Sequence, residues 1–132
     1  MKKILTLLLL MVSTNVLAEW TRVTESADGD MTVYADSETI KRKGRKVKIW
    51  RLFDFKTVQI FAGDNTRRYL SSVGRLEYDC EEETSAALDI YWYSGNMRQG
   101  DIVYSSTTKD EAHSILPGSI EESLFKIACS NK

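Results

Sequence analysis

From Trp20 to Ser106 apolar side chains recur mostly at every second position, the period of extended chain, and after Pro117 the spacing lengthens to that of a helix. Trp20–Glu25 and Met31–Asp36 flank Ala27-Asp28-Gly29-Asp30, whose Asp-Gly step favours a tight turn and predicts a first hairpin. Asp36-Ser37-Glu38-Thr39-Ile40 reads as a short helical turn capped by Asp36 or Ser37, ahead of a basic loop broken at Gly44. In the next strand Val47, Ile49, Phe53 and Phe55 share one parity while Trp50 and Leu52 hold the other, as expected of a central strand covered on both sides.

Thr57–Arg68 is the least legible stretch: Val58, Ile60 and Phe61 extend a strand that Gly63-Asp64-Asn65 ends. From there Leu70, Ser72, Gly74, Leu76, Tyr78 and Cys80 form an inward row, in which Ser72 and Gly74 leave room for close approach of a helix. Ala86, Leu88, Ile90 and Trp92 form the equivalent row on the following strand. Ser94-Gly95-Asn96 turns the chain into Asp101–Ser106, a second hairpin with Ile102 and Tyr104 in phase. Beyond Pro117-Gly118, Ser119 and Glu122 stand in the capping-box relation, and Ile120, Leu124 and Ile127 begin an apolar stripe widened by Phe125, Ala128 and Cys129. The expected fold is α+β, a single antiparallel sheet of about six strands with a C-terminal helix packed on one face.

The first residues carry a different message. Lys2 and Lys3, an apolar run over Ile4–Val12 and Val16-Leu17-Ala18 together predict a cleavable export signal over residues 1–18, with the mature domain spanning 19–132. That apolar run is too short for a membrane span, and no spanning run follows. The cleavage point holds no cysteine, which argues against lipid anchoring by that route. Removing the signal leaves 114 of the 132 residues, enough for one domain, and takes the formal charge from −1 to −3. A globally basic nucleic-acid binder is thereby excluded.

Export also decides how the cysteines are read. Two cysteines in an exported chain point to one structural disulfide, Cys80 to Cys129, rather than a metal or redox site. Closing so long a loop in the unfolded chain stabilises a fold by up to about 4 kcal/mol. The bond would tether the last helix to the sheet.

Trp20, Tyr78-Asp79-Cys80, Tyr93-Ser94-Gly95-Asn96-Met97, Leu116-Pro117-Gly118-Ser119 and Lys126-Ile127-Ala128-Cys129 together resemble the surface-adhesin protein E family across nearly all of the mature chain. The resemblance implies an antiparallel sheet whose concave face holds a C-terminal helix through a disulfide. It also implies a non-enzymatic protein that binds extracellular-matrix or serum proteins of a host, with self-association among its members. Those members include surface lipoproteins, whereas the first cysteine of this chain is Cys80.

Charge is unevenly placed, and this gives the sharpest candidate site. Six cations, Lys41, Arg42, Lys43, Arg45, Lys46 and Lys48, crowd one segment, while Glu77, Asp79, Glu81, Glu82 and Glu83 crowd another. The basic segment would suit anionic glycans, anionic headgroups or acidic protein surfaces; equally it would serve as a solvated turn that keeps an edge from aggregating. Tyr91 and Tyr93, opposite in phase to Trp92, are candidate anchors of a homodimer interface if Phe53 and Phe55 share their surface, or else isolated surface tyrosines. His113, the lone histidine, reads as an ordinary helix-flanking residue, and Glu81-Glu82-Glu83 as a solvated turn without the alternating oxygens of a calcium loop. Ser94 lacks a nucleophile elbow and Ser119 is a helix cap, so neither a catalytic site nor a cofactor is predicted. The signal predicts export to the periplasm first, with the cell surface or secretion as further destinations; a binding module fits best, and the alternative is a periplasmic accessory protein without a host ligand.

Overall fold

In the computed structural model, which describes residues 19–61 and 63–130, the alternating segments pair as one antiparallel sheet in chain order. Its strands are β1 (Thr21–Glu25), β2 (Met31–Lys43), β3 (Lys46–Phe61), β4 (Asp64–Asp79), β5 (Thr84–Tyr93) and β6 (Ile102–Ser106). A two-residue strand, β7 (His113–Ser114), adds to β5 beside Thr84 and Ser85, and α1 (Ile120–Ser130) ends the chain. The predicted signal segment lies outside the described residues.

The helix covers one face of the sheet. Leu124 and Ala128 of α1 are buried against Val33 and Ala35 of β2, Val47 and Ile49 of β3, and Leu76 and Tyr78 of β4. Tyr78 meets Phe125 edge-on at 5.7 Å between centroids. Cys80 and Cys129 are bonded, with their Cα atoms 5.7 Å apart, so the far end of the helix is pinned where β4 leaves the sheet. At the near end the Ser119 Oγ accepts the Glu122 N–H at 3.1 Å. Glu122 turns its carboxylate to Lys126 at 3.3 Å, so the reciprocal half of the capping box gives way to an i,i+4 ion pair.

β3 does carry apolar residues on both faces. Leu52, fully buried, joins Val73 and Tyr93 in a second cluster on the side away from the helix, with Trp20, Tyr34, Trp50, Tyr91 and Met97 packed around it. The loop after β5 folds over this side. Asp54 Oδ1 accepts the Met97 N–H at 2.8 Å, and Ser71 Oγ donates to the Gly95 carbonyl at 2.6 Å while accepting the Arg98 N–H at 3.0 Å.

Five expectations need correction. Asp36–Ile40 forms no helical turn and belongs to β2, where the pairing with β3 slips between Asp36 and Lys41. The capping chemistry is present but spent on this irregularity: Asp36 Oδ1 accepts the Glu38 N–H at 3.1 Å and Thr39 Oγ1 donates to the Asp36 carbonyl at 3.0 Å. The basic loop is likewise paired strand, Lys43 facing Lys46 across a turn made by Gly44 and Arg45, with φ +62° at Gly44.

On β5 the inward row changes parity. Ile90 and Trp92 face Gly74 and Ser72, but a bulge at Leu88 brings Ala87, not Ala86, opposite Leu76. Tyr69 takes the place expected of Leu70, stacking on Trp92 at 4.4 Å and meeting Phe55 edge-on at 5.8 Å, because the β3–β4 register also shifts between Asp54 and Gln59. The space at Gly74 admits no helix. A Cβ there would lie 2.8 Å from the Arg51 guanidinium carbon, and Arg51 fills the gap.

Candidate functional site

The hairpin register decides what the basic segment presents. Directly opposed residues of an antiparallel pair share a face, so Lys41 with Lys48, and Lys43 with Lys46, form a square of ammonium groups on the side away from the helix. Arg42 opposes buried Val47 and therefore belongs to the helix side, where its Nε donates to the Gly44 carbonyl at 3.1 Å. Arg45 sits in the turn and leans on the acidic run, 3.0 Å from Asp79 and 3.9 Å and 4.0 Å from Glu81 and Glu82. The six cations thus divide into a surface square, a helix-side arginine and a turn arginine.

Glu77 is the carboxylate set among the lysines. It lies on the same face, 3.7 Å from Lys46 and 3.0 Å from Lys109. Partial burial works to raise its pKa, but the Lys109 hydrogen bond and the charges of Lys109, Lys46 and Lys48 outweigh that and hold it below the ordinary value. Asp79 is also held low, first by the N–H of Glu82, with the Glu81 N–H and the charges of Arg45 and Lys46 assisting against partial burial. No described ion pair engages Lys41, Lys43 or Lys48. Like charges placed directly across a strand pair destabilise a sheet, so this square costs the fold some stability.

The lysine square opens into a longer depression. A shallow hollow of about 400 Å³ is bounded by Lys41, Arg42, Lys43, Lys46, Lys48 and Glu77. A smaller one of about 120 Å³ shares Lys41 and Lys48 with it and reaches Trp50 and Arg75. Trp50 and Thr39 then border a cleft of about 430 Å³ lined by Trp20, Asp36, Val73, Tyr91, Tyr93, Arg98 and Ile102. Arg75 spans the middle, bonded to Asp89 at 2.6 Å and lying 5.7 Å from the centre of the Trp50 ring.

Tyr91 and Tyr93 oppose Val73 and Ser71, on the face away from the helix. Tyr93 is only 9% exposed beneath the Met97 loop, and its hydroxyl takes the Arg98 Nε–H at 3.3 Å; of the two tyrosines, Tyr91 is the more exposed. Phe53 and Phe55 do not share that surface, since Phe53 opposes Ser72 on the helix side and Phe55 meets Tyr69 there.

Sequence reasoning missed two features. Arg51 is 6% exposed, stacked 3.8 Å over the Phe53 ring and donating to the Ser72 carbonyl and hydroxyl, and burial lowers its pKa to about 10. The aromatic cleft was the other, because its walls come from β2, β3, β4, β5 and the segments around them. A signal was available in Trp50 and Tyr91, which lie in phase with residues expected to face away from the helix. Among the described residues, no His, Cys, Asp and Glu cluster is placed to hold a metal, and no helix is long and apolar enough to cross a membrane. His113 lies 3.2 Å from both carboxylate oxygens of Glu121 in the first turn of α1.

Comparison with known proteins covers nearly all of this architecture. The family model described as surface-adhesin protein E matches residues 20–130. Protein E of Haemophilus influenzae in its second crystal form superposes with a TM-score of 0.66 at 17% identity, covering 89% of this chain and 92% of that one. Protein E from non-typeable Haemophilus influenzae superposes with a TM-score of 0.62 at 17% identity, covering 89% and 80% of the two chains. No curated protein matches the chain.

Proposed function

Because the chain belongs to the surface-adhesin protein E family, we propose that it is a non-enzymatic exported binding module that attaches to an external partner through anionic groups on that partner. The observation that carries the reading is the square of Lys41, Lys43, Lys46 and Lys48 on the face the helix leaves open. Cross-strand repulsion there opposes folding and is relieved when an anion settles among the ammonium groups. Sulfates, phosphates and carboxylates all suit such a surface, so acidic regions of host matrix or serum proteins and anionic glycans fall within its reach.

One specific observation favours the more modest alternative of a periplasmic accessory protein. Arg45 and Lys46 are paired with Asp79 and Glu77, as a hairpin end merely kept soluble would be. Immobilised heparin separates the two readings. The mature protein should be retained and released by salt, since exposed charges act over about 8 Å at physiological ionic strength. A variant with Lys41, Lys43 and Lys48 changed to Ser should elute far earlier at a melting temperature equal to or above that of the parent. Equal retention of both, or of neither, would favour the accessory role. Protease shaving of intact producing cells decides display: an adhesin is cut, a periplasmic protein is spared.

A further inference from the structure

We propose that the trough on the helix-free face takes a sulfated glycan chain, with an uncharged sugar ring in the aromatic cleft and sulfates on the lysine square. This rests on the anion-binding reading and narrows it to one chemical class. Three observations carry it. The hollows share walls: Thr39 and Trp50 join the cleft to the middle one, and Lys41 and Lys48 join the middle one to the square. From Trp50 to Lys46 the run along β3 covers about 13 Å at roughly 3.3 Å per residue, so a linear molecule is needed to use both ends.

The two ends also differ in chemistry. Trp20, Trp50 and Tyr91 give the cleft flat apolar surface, and Asp36, Thr39 and Arg98 place polar groups around it. A pyranose ring matches this pairing, with a C–H face to lay on an aromatic ring and hydroxyls around its edge to meet donors and acceptors. Asp36, 2% exposed, and Arg98 place one negative and one positive group in the cleft, so it has no net charge with which to hold a sulfate. At the other end Lys41, Lys43 and Lys48 outnumber Glu77, which Lys46 and Lys109 already engage. Charge therefore sets the direction in which the chain lies. A flexible polyanion without sugar rings would satisfy the lysines and leave the cleft unused.

The test compares a size-defined keratan sulfate oligosaccharide, in which uncharged galactose rings alternate with sulfated N-acetylglucosamine, with inorganic polyphosphate, using indole N–H signals of the intact mature protein in proton–nitrogen NMR. Trp20 and Trp50 line the cleft, whereas Trp92 pairs with Tyr104 and stacks on Tyr69 on the other face, so it serves as the internal control. The oligosaccharide should shift the Trp20 and Trp50 indoles and leave Trp92 in place; polyphosphate should leave Trp20 and Trp92 in place while perturbing the lysine strands and Trp50, which borders the same hollow as Lys41 and Lys48. Tyr91→Ala should weaken the oligosaccharide about tenfold and leave polyphosphate affinity unchanged, a difference of about 1.4 kcal/mol. If both ligands perturb the lysine strands but neither moves the Trp20 indole, the glycan assignment is wrong while anion binding stands. If neither perturbs the lysine strands, both fall.

Discussion

At the scale of single residues, Arg51 and Gly74 determine one another. The buried guanidinium has no carboxylate partner among the described residues and is held by the Ser72 carbonyl at 3.1 Å, the Ser72 hydroxyl at 3.2 Å and the Phe53 ring. It fits because Gly74, directly across the strand pair, has no side chain. Gly74→Ala should therefore destabilise the protein by about 1–3 kcal/mol, the usual cost of overpacking, as read from urea denaturation. A loss below about 0.5 kcal/mol would mean that Arg51 moves aside freely. The sequence shows Gly74 as a gap and Arg51 as a polar interruption of an apolar row, but nothing in it joins the two. Their pairing depends on a β3–β4 register that only long-range contacts fix.

At the scale of elements, parity identified the faces and bulges moved them. Leu76, Tyr78 and Cys80 could be assigned to the helix side because β4 alternates cleanly through them. Ala86 could not be assigned correctly, since the bulge at Leu88 leaves no trace in a run where Ala86, Ala87 and Leu88 are all apolar. Asp36–Ile40 misled for a related reason: Asp and Thr side chains that cap helices also satisfy backbone groups freed by a register slip. The helix itself was legible from its cap, its stripe and its cysteine. Ser119→Ala should cost about 1 kcal/mol through loss of the bond to the Glu122 N–H, measured by thermal unfolding. Replacing both Cys80 and Cys129 by Ser should cost more, up to about 4 kcal/mol, because the bond closes a 49-residue separation. If the double variant melted within a degree of the parent, packing of Leu124 and Ala128 would be holding the helix unaided.

At the scale of the whole molecule, the two faces of the sheet differ in what covers them. The helix side holds the disulfide and the larger buried cluster; the other side holds the lysine square and the aromatic cleft. Carboxylates bridge stability and charge. Glu77 and Asp79 are held below their ordinary values of 4.5 and 3.8, so each stabilises the fold above its unfolded-state pKa and loses that contribution as pH falls through its folded-state pKa. Melting temperature should be level above about pH 5 with respect to these groups and fall below about pH 4, and Glu77→Gln should flatten part of that fall. A melting temperature that held steady to pH 2 would contradict this. The positive segment was plain in the sequence; its division into a surface square, a helix-side Arg42 and a turn Arg45 was not, because that depends on where the hairpin turns.

If the helix-free face trades some stability for anion binding, as proposed, Lys41→Glu tests both halves in one protein. It replaces a like-charge pair with an opposite-charge pair facing Lys48, a change worth about 0.2–1 kcal/mol in favour of the sheet. Melting temperature and affinity for a heparin oligosaccharide should be measured on the same sample. The melting temperature should equal or exceed that of the parent, and affinity should fall tenfold or more. Unchanged affinity, or a loss of affinity that merely follows a loss of fold, would contradict the proposal.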